Sequence, residues 1–254
     1  MLKLRVNGIQ LAYERRGRGK PLLLLHGYPL DHTIWDAVVP LLEHDFDLIL
    51  PDLRGFGESE APRTPYLLTD MAADLAALLD ALGIERAAVA GHSMGGYIAL
   101  AFARAWPQRL RGLGLVASQA VADTPERKSA RYALAERVEK DGVGEVADSM
   151  PGLLTSDAGI QARLRALILQ QSPWGVSAAL RAMAGRPDST PVLAALEVPV
   201  VMIHGRADRL VPIERAREAA AAAPGATLVE IEQAEHMPML EAPGQTARAL
   251  KNLE

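Results

Sequence analysis

Polar and apolar residues alternate from Leu2 to Val6 and again from Ile9 to Glu14, and the Asn7-Gly8 pair between them supplies the positive φ angles of a tight turn. The chain therefore opens with a β-hairpin. Pro21 to Leu25 and Phe46 to Leu50 are instead short unbroken apolar runs, the signature of strands buried on both faces. Ile34 to Leu42, between them, has helical spacing. Leu67 to Leu82 predicts an amphipathic helix, because Leu75, Leu78, Leu79 and Leu82 share one face and Gly83 stands where the helix should end. Arg86 to Ala90 is another short strand. Gly91 to Gly96 then turns into a helix that runs to about Trp106, just before Pro107, and Leu110 to Val116 is a further strand.

From Gln119 to about Thr190 this rhythm stops. Helical patterns over Glu126 to Glu139, Ile160 to Gln170 and Val176 to Ala184 are broken by Gly142, Gly144, Pro151, Gly152, Pro173 and Gly185. Alternation resumes with Val198 to His204, Ile213 to Ala223, Thr227 to Ile231 and Gln245 to Leu253. Strands alternating with helices predict an α/β protein with a largely parallel sheet covered on both faces. Residues 1–118 and 191–254 should form that core, and residues 119–190 a helical insertion.

Composition narrows the function. At 254 residues with 49% hydrophobic side chains, one large domain carrying an insertion fits better than two independent units. A net charge of −4 and scattered Lys and Arg leave no footprint for a phosphate backbone, so a nucleic-acid partner is not expected. Without Cys there is no disulfide, thiolate nucleophile or thiolate metal site. The first residues lack the apolar core of a secretory signal, and no later apolar run approaches the ~20 residues that cross a bilayer. The expectation is a cytoplasmic protein with no membrane partner; oligomeric state is left open.

Gly91-His92-Ser93-Met94-Gly95 is a G-x-S-x-G pattern set between a buried strand and a helix, and that setting gives the pattern its weight. Small residues two before and two after the serine are what a sharp strand-to-helix turn demands. A serine hydroxyl is a weak nucleophile until a base takes its proton. Of the six histidines, His26, His92 and His204 read as structural or loop-shaping and His32 and His44 as solvated. His236 lies between the last strand and the last helix, where it can project over the strand ends. Asp208 follows directly on the strand Val198 to His204 and reaches the same edge; Glu235 and Asp123 are rival acids.

The order Ser93, Asp208, His236, together with HGYP at 26–29, DLRGFGES at 52–59 and GHSMGG at 91–96, resembles the α/β-hydrolase superfamily over nearly the whole chain. The resemblance implies a mostly parallel sheet of about eight strands, with the opening hairpin contributing the antiparallel member and the insertion forming a cap over the active site. It also implies an oxyanion hole made by the backbone N–H groups of Tyr28 and Met94. Trp35 and Phe56 stand where relatives place core or pocket-wall residues, and Asp52 and Arg54 where they make loop-stabilising contacts.

Serine rather than aspartate at position 93 disfavours relatives that form an alkyl-enzyme ester on a carboxylate, such as haloalkane dehalogenases and epoxide hydrolases. The expected activity is that of a carboxylesterase-type serine hydrolase acting on a small-molecule ester, with no metal or organic cofactor. Lactonase, thioesterase and cofactor-free perhydrolase activities use the same three residues, and a non-catalytic binding protein on this fold is the remaining alternative. Met150, Leu153, Trp174 and Met183 in the insertion, with Trp35, are the candidate pocket residues, predicting an apolar pocket with few charges.

Overall fold

The computed structural model describes residues 1–253. Its elements are β1 (Leu2–Val6), β2 (Ile9–Gly17), β3 (Lys20–Leu25), α1 (Val39–Leu42), β4 (Phe46–Pro51), α2 (Leu68–Ala81), β5 (Ala87–His92), α3 (Met94–Ala105) and β6 (Leu110–Val116). There follow α4 (Pro125–Asp141), α5 (Gly144–Ser149), α6 (Pro151–Leu154), α7 (Ala158–Leu169), α8 (Pro173–Ala184) and α9 (Thr190–Ala194). The chain closes with β7 (Val200–Gly205), α10 (Ile213–Ala222), β8 (Thr227–Ile231), α11 (Pro238–Glu241) and α12 (Pro243–Leu250).

Eight strands form one sheet in the order β1-β2-β4-β3-β5-β6-β7-β8. Only β2 runs against its neighbours, pairing antiparallel with both β1 and β4, and every other pairing is parallel. The apolar runs explain the order. Every residue of β4, β5 and β7 is buried, whereas β1 and β8 expose part of their length and lie at the edges. Strand order reverses between β3 and β5, so the loops leaving their carboxyl ends diverge and open a crevice there. The chain has the alpha/beta hydrolase fold expected from its sequence.

Between β6 and β7 there are only helices. The long α4 packs on α8, and Ala135, Val138, Leu164, Ile168, Val176 and Leu180 are buried among them. Other details depart from the sequence reading. The helix expected over Ile34 to Leu42 is divided into a 3-10 turn, His32–Trp35, and the short α1. Asp31 caps the Thr33 N–H and starts the first piece early, and Pro40 stands in the first turn of the second. Pro238 and Pro243 similarly divide the C-terminal region into α11 and α12.

The turn from β5 to α3 is crowded. A Cβ at Gly91 would run into the Gly95 backbone, and one at Gly95 would lie 2.7 Å from the carbonyl oxygens of Leu25 and His26. By contrast, Gly144 at the start of α5 has nothing among the described residues within 4 Å of its ideal Cβ position. Gly91→Ala is expected to cost at least about 2 kcal/mol in urea unfolding, whereas Gly144→Ala should change stability by less than about 1 kcal/mol.

Candidate active site

Ser93 sits between the end of β5 and the first residue of α3, with φ +51° and ψ −111°. A residue with a side chain pays for that conformation, so the fold must hold it from several sides. The Ser93 N–H donates to the Val116 carbonyl at 2.8 Å, and its own carbonyl accepts from Ser118 Oγ at 2.8 Å and Gly96 N–H at 3.0 Å. Ser93 is partly exposed and borders a cavity of about 200 Å³.

Asp208 and His236 arrive from the loops after β7 and β8. Gly205 lets those loops touch, since a Cβ there would run into the Ala234 and Glu235 carbonyls. Asp208 Oδ1 accepts the N–H groups of Leu210 and Val211, each at 2.9 Å, which winds the loop around the carboxylate. Oδ2 accepts His236 Nδ1–H at 2.7 Å and lies 3.2 Å from His204 Nε2. Burial opposes the charged form of Asp208, but His236, His204 and the Val211 N–H overcome it and hold the carboxyl well below the usual carboxylate range.

Because a carboxylate only accepts, His236 Nδ1 carries a proton, and in the neutral ring the lone pair is then on Nε2. The ring is fully buried and Nε2 has no hydrogen-bond partner among the described residues. The structure thus joins Asp208 to His236 and does not join Ser93 to His236 by a hydrogen bond.

The rival acids are engaged elsewhere. Glu235 accepts the Ser156 N–H at 2.8 Å and Arg209 Nε at 3.0 Å, while Asp123 is held by arginines of the helical segment. The Glu235 contact with Ser156 and the His236 N–H on the Leu154 carbonyl, at 3.1 Å, fasten the His236 loop to the end of α6.

The remaining histidines divide by surroundings. His26 accepts the Leu53 N–H on Nε2 at 2.9 Å and donates from Nδ1 to the Gly27 carbonyl at 3.0 Å, tying the loops after β3 and β4 together. His92 donates from Nε2 to the His236 carbonyl at 2.9 Å, and its ring stands edge-on to that of His236. His32, expected to be solvated, is instead half-buried and bonded through Nδ1 to Asp52 at 2.6 Å. Asp31, His32 and Asp52 lie within mutual ligand distance, yet the Asp52 oxygens are taken by His32 and by the Glu58 N–H. The group clamps a loop. Arg54 likewise makes a paired contact with Asp74, both bonds at 2.6 Å.

Of the expected pocket side chains, Met150 and Met183 border the Ser93 cavity. Three others do not. Trp35 is fully buried in the core, Leu153 is 48% exposed on the short α6, and Trp174 is exposed beneath the Arg63 guanidinium. Each correction has the same origin: hydropathy marks an apolar side chain without saying which way its backbone turns it. The lining also includes Tyr28, Tyr97, Arg127 and Arg131, so the cavity carries more polar and charged groups than the apolar, few-charge pocket expected. The missed signal was the spacing of Asp123, Arg127 and Arg131, four residues apart at each step. Met94 is the first residue of α3, and its N–H has no partner within the helix; Tyr28 lies in the loop after β3.

The family model described as alpha/beta hydrolase fold matches residues 20–243. Among solved structures, an esterase from Thermogutta terrifontis with malate bound superposes with a TM-score of 0.94 at 39% identity, covering 98% of this chain and 96% of that one. The enol-lactonase from Burkholderia xenovorans LB400 gives a TM-score of 0.91 at 26% identity, covering 99% of each chain. A soluble epoxide hydrolase from Corynebacterium sp. (strain C12) is 43% identical over 98 residues, which is 39% of this chain and 34% of that protein. No helix among the described residues is long and apolar enough to cross a membrane.

Burial keeps His26 and His92 below the ordinary histidine range, the neighbouring His236 adding to the effect on His92. A histidine held neutral in the fold but free to charge when unfolded makes unfolding take up protons, so stability falls as pH drops below about 6.5. His32 acts in the opposite sense: burial works against its charge, but Asp52 outweighs burial and raises it. Thermal unfolding should show a Tm that falls from about pH 7.5 to about pH 5.5, with net proton uptake on unfolding. Proton release in that window would contradict this assignment of the buried rings.

Proposed function

The chain belongs to the alpha/beta hydrolase family, and on that premise we propose that it is a serine hydrolase cleaving small carboxylic esters through Ser93, His236 and Asp208. One observation carries the reading. A fully buried imidazole donates from Nδ1 to a carboxylate at 2.7 Å and keeps Nε2 unpartnered among the described residues, while a strained serine borders a cavity that Leu210 and Val211 of the Asp208 loop also line. In unliganded enzymes the bond between nucleophile and base often closes only in the substrate complex.

In the proposed reaction, His236 Nε2 takes the Ser93 hydroxyl proton as Oγ bonds to the ester carbonyl carbon. The oxyanion receives the N–H groups of Tyr28 and Met94, two donors of the kind that each contribute about 3 kcal/mol to a transition state. Asp208 stabilises the imidazolium. Nε2–H then protonates the leaving alcohol oxygen as the ester bond breaks, giving an acyl-enzyme. Water, deprotonated by the same nitrogen, releases the acid and restores Ser93. The helices of residues 119–190 act as the cap, with Met150 and Met183 forming the adaptable part of the acyl pocket.

Ring opening of a lactone follows the same steps, and the likeness to an enol-lactonase over 99% of each chain favours it as the second reading. Epoxide opening on an enzyme carboxylate is disfavoured, because position 93 is serine. Initial rates over short-chain p-nitrophenyl esters, thioesters and lactones should rank esters or lactones first. Ser93→Ala should lower kcat by at least about 10⁴-fold with the fold intact by circular dichroism. Asp208→Asn should lower it by about 10⁴-fold, because an amide no longer selects the Nδ1–H tautomer. Undiminished turnover by Ser93→Ala would remove the nucleophile from this account.

A further inference from the structure

The cavity beside Ser93 has a charged wall. Helix α4 puts Arg127 and Arg131, one turn apart, on its lining. Both lean on Asp123, a carboxylate only 5% exposed. Asp123 accepts Arg131 Nε at 2.6 Å and Arg186 Nη2 at 2.9 Å, and Arg127 Nε lies 3.6 Å away. Three guanidinium groups thus face one carboxylate, leaving a surplus of two positive charges at the edge of a substrate-sized cavity.

The three arginines are not equally occupied. Arg186 spends its terminal nitrogens on Asp123 and the carbonyls of Met183 and Val121, and lies over the Tyr97 ring at 4.0 Å. Arg131 spends Nε on Asp123, but Nη1 meets only the Met183 sulfur, at 3.5 Å, which is a weak acceptor. A second, independent observation lies on the same lining. Tyr28 borders the cavity, and its buried hydroxyl has no hydrogen-bond partner among the described residues. A buried polar group left unpaired costs about 1–3 kcal/mol, so a site that keeps one is suited to a ligand that satisfies it. The surrounding side chains of Leu134, Met150 and Leu180 offer no oxygen. Arg131 Nη1 and the Tyr28 hydroxyl lack the same thing, an oxygen acceptor.

We infer that this wall is a carboxylate-binding subsite, with Arg131 and the Tyr28 hydroxyl as donors, and that the preferred substrates are esters or lactones whose acyl side carries a free carboxylate, such as half-esters of short dicarboxylic acids. The inference rests on the serine-hydrolase reading for the position of the scissile bond, but the carboxylate subsite stands independently of turnover. Arg127, more exposed, adds to the local field, and Asp123 holds the Arg131 guanidinium in place.

The test compares monoethyl succinate with ethyl butyrate, which differ by a carboxylate in place of a terminal methyl, with rates followed by pH-stat. Wild-type enzyme should favour the half-ester in kcat/KM by about tenfold or more, and Arg131→Met should cut that preference by at least about tenfold. Tyr28→Phe, which keeps the backbone N–H, should cut it severalfold. Raising NaCl from about 0.05 to about 0.5 M should weaken the preference of the wild type. Arg131→Lys, which keeps the charge, should retain part of it and guards against misfolding of the methionine variant. An equal or greater wild-type rate on the neutral ester, or a preference that Arg131→Met leaves unchanged, would overturn the inference. Calorimetric titration of succinate into Ser93→Ala protein separates the two readings. Binding that Arg131→Met weakens at least about tenfold supports the subsite even if no ester is cleaved, and binding that ignores Arg131 rejects it even if esters are cleaved.

Discussion

An ionised carboxylate sealed away from water is the interaction on which the site's geometry depends. Asp208 is 6% exposed, and burying such a charge costs several kcal/mol unless donors replace its hydration. Here the replacements are His236, His204 and the N–H groups of Leu210 and Val211. None of these works alone. The two N–H groups require the tight loop after β7, His204 requires the end of that strand, and His236 requires the loop after β8 to pass over Gly205. Holding the carboxylate charged is therefore what fixes the imidazole, its tautomer and the direction of its free nitrogen.

Ser93 is held by a different device. Its positive φ is maintained by bonds to β6 on one side and to the start of α3 on the other, and by two glycines that let strand, helix and neighbouring strand pass closely. His92 links the two arrangements, since its ring lies against Gly27, where a Cβ would meet it, and its N–H reaches the His236 carbonyl. A rigid sheet edge supplies the serine, two cross-bonded loops supply the base and acid, and the segment around Leu154 to Ser156 ties the helical region to the base.

Much of this was legible in the sequence, for physical reasons. Asn7-Gly8 fitted a tight turn, and the unbroken apolar runs fitted strands buried on both faces. The flanks of Ser93 announced a sharp turn, while His236 and Asp208 were marked by their place after strands. What stayed hidden were interactions set by helix rotation. Asp123 read as a rival acid rather than the anchor of three arginines, and His32 as solvated rather than clamped to Asp52. Trp35, Leu153 and Trp174 were apolar enough for a pocket but turn into the core or out to solvent. Local pattern fixes the backbone state far more firmly than the direction of a side chain across a gap between elements.

The proposed chemistry predicts a covalent intermediate, and that species is the most direct test. Rapid mixing with p-nitrophenyl acetate, acid quench and peptide mass analysis should find one acetyl group per chain, on the peptide containing Ser93. The accompanying p-nitrophenol burst should approach about one equivalent when deacylation is the slower step. Turnover of the ester with no acetyl on Ser93, or with the label on another residue, would contradict the account.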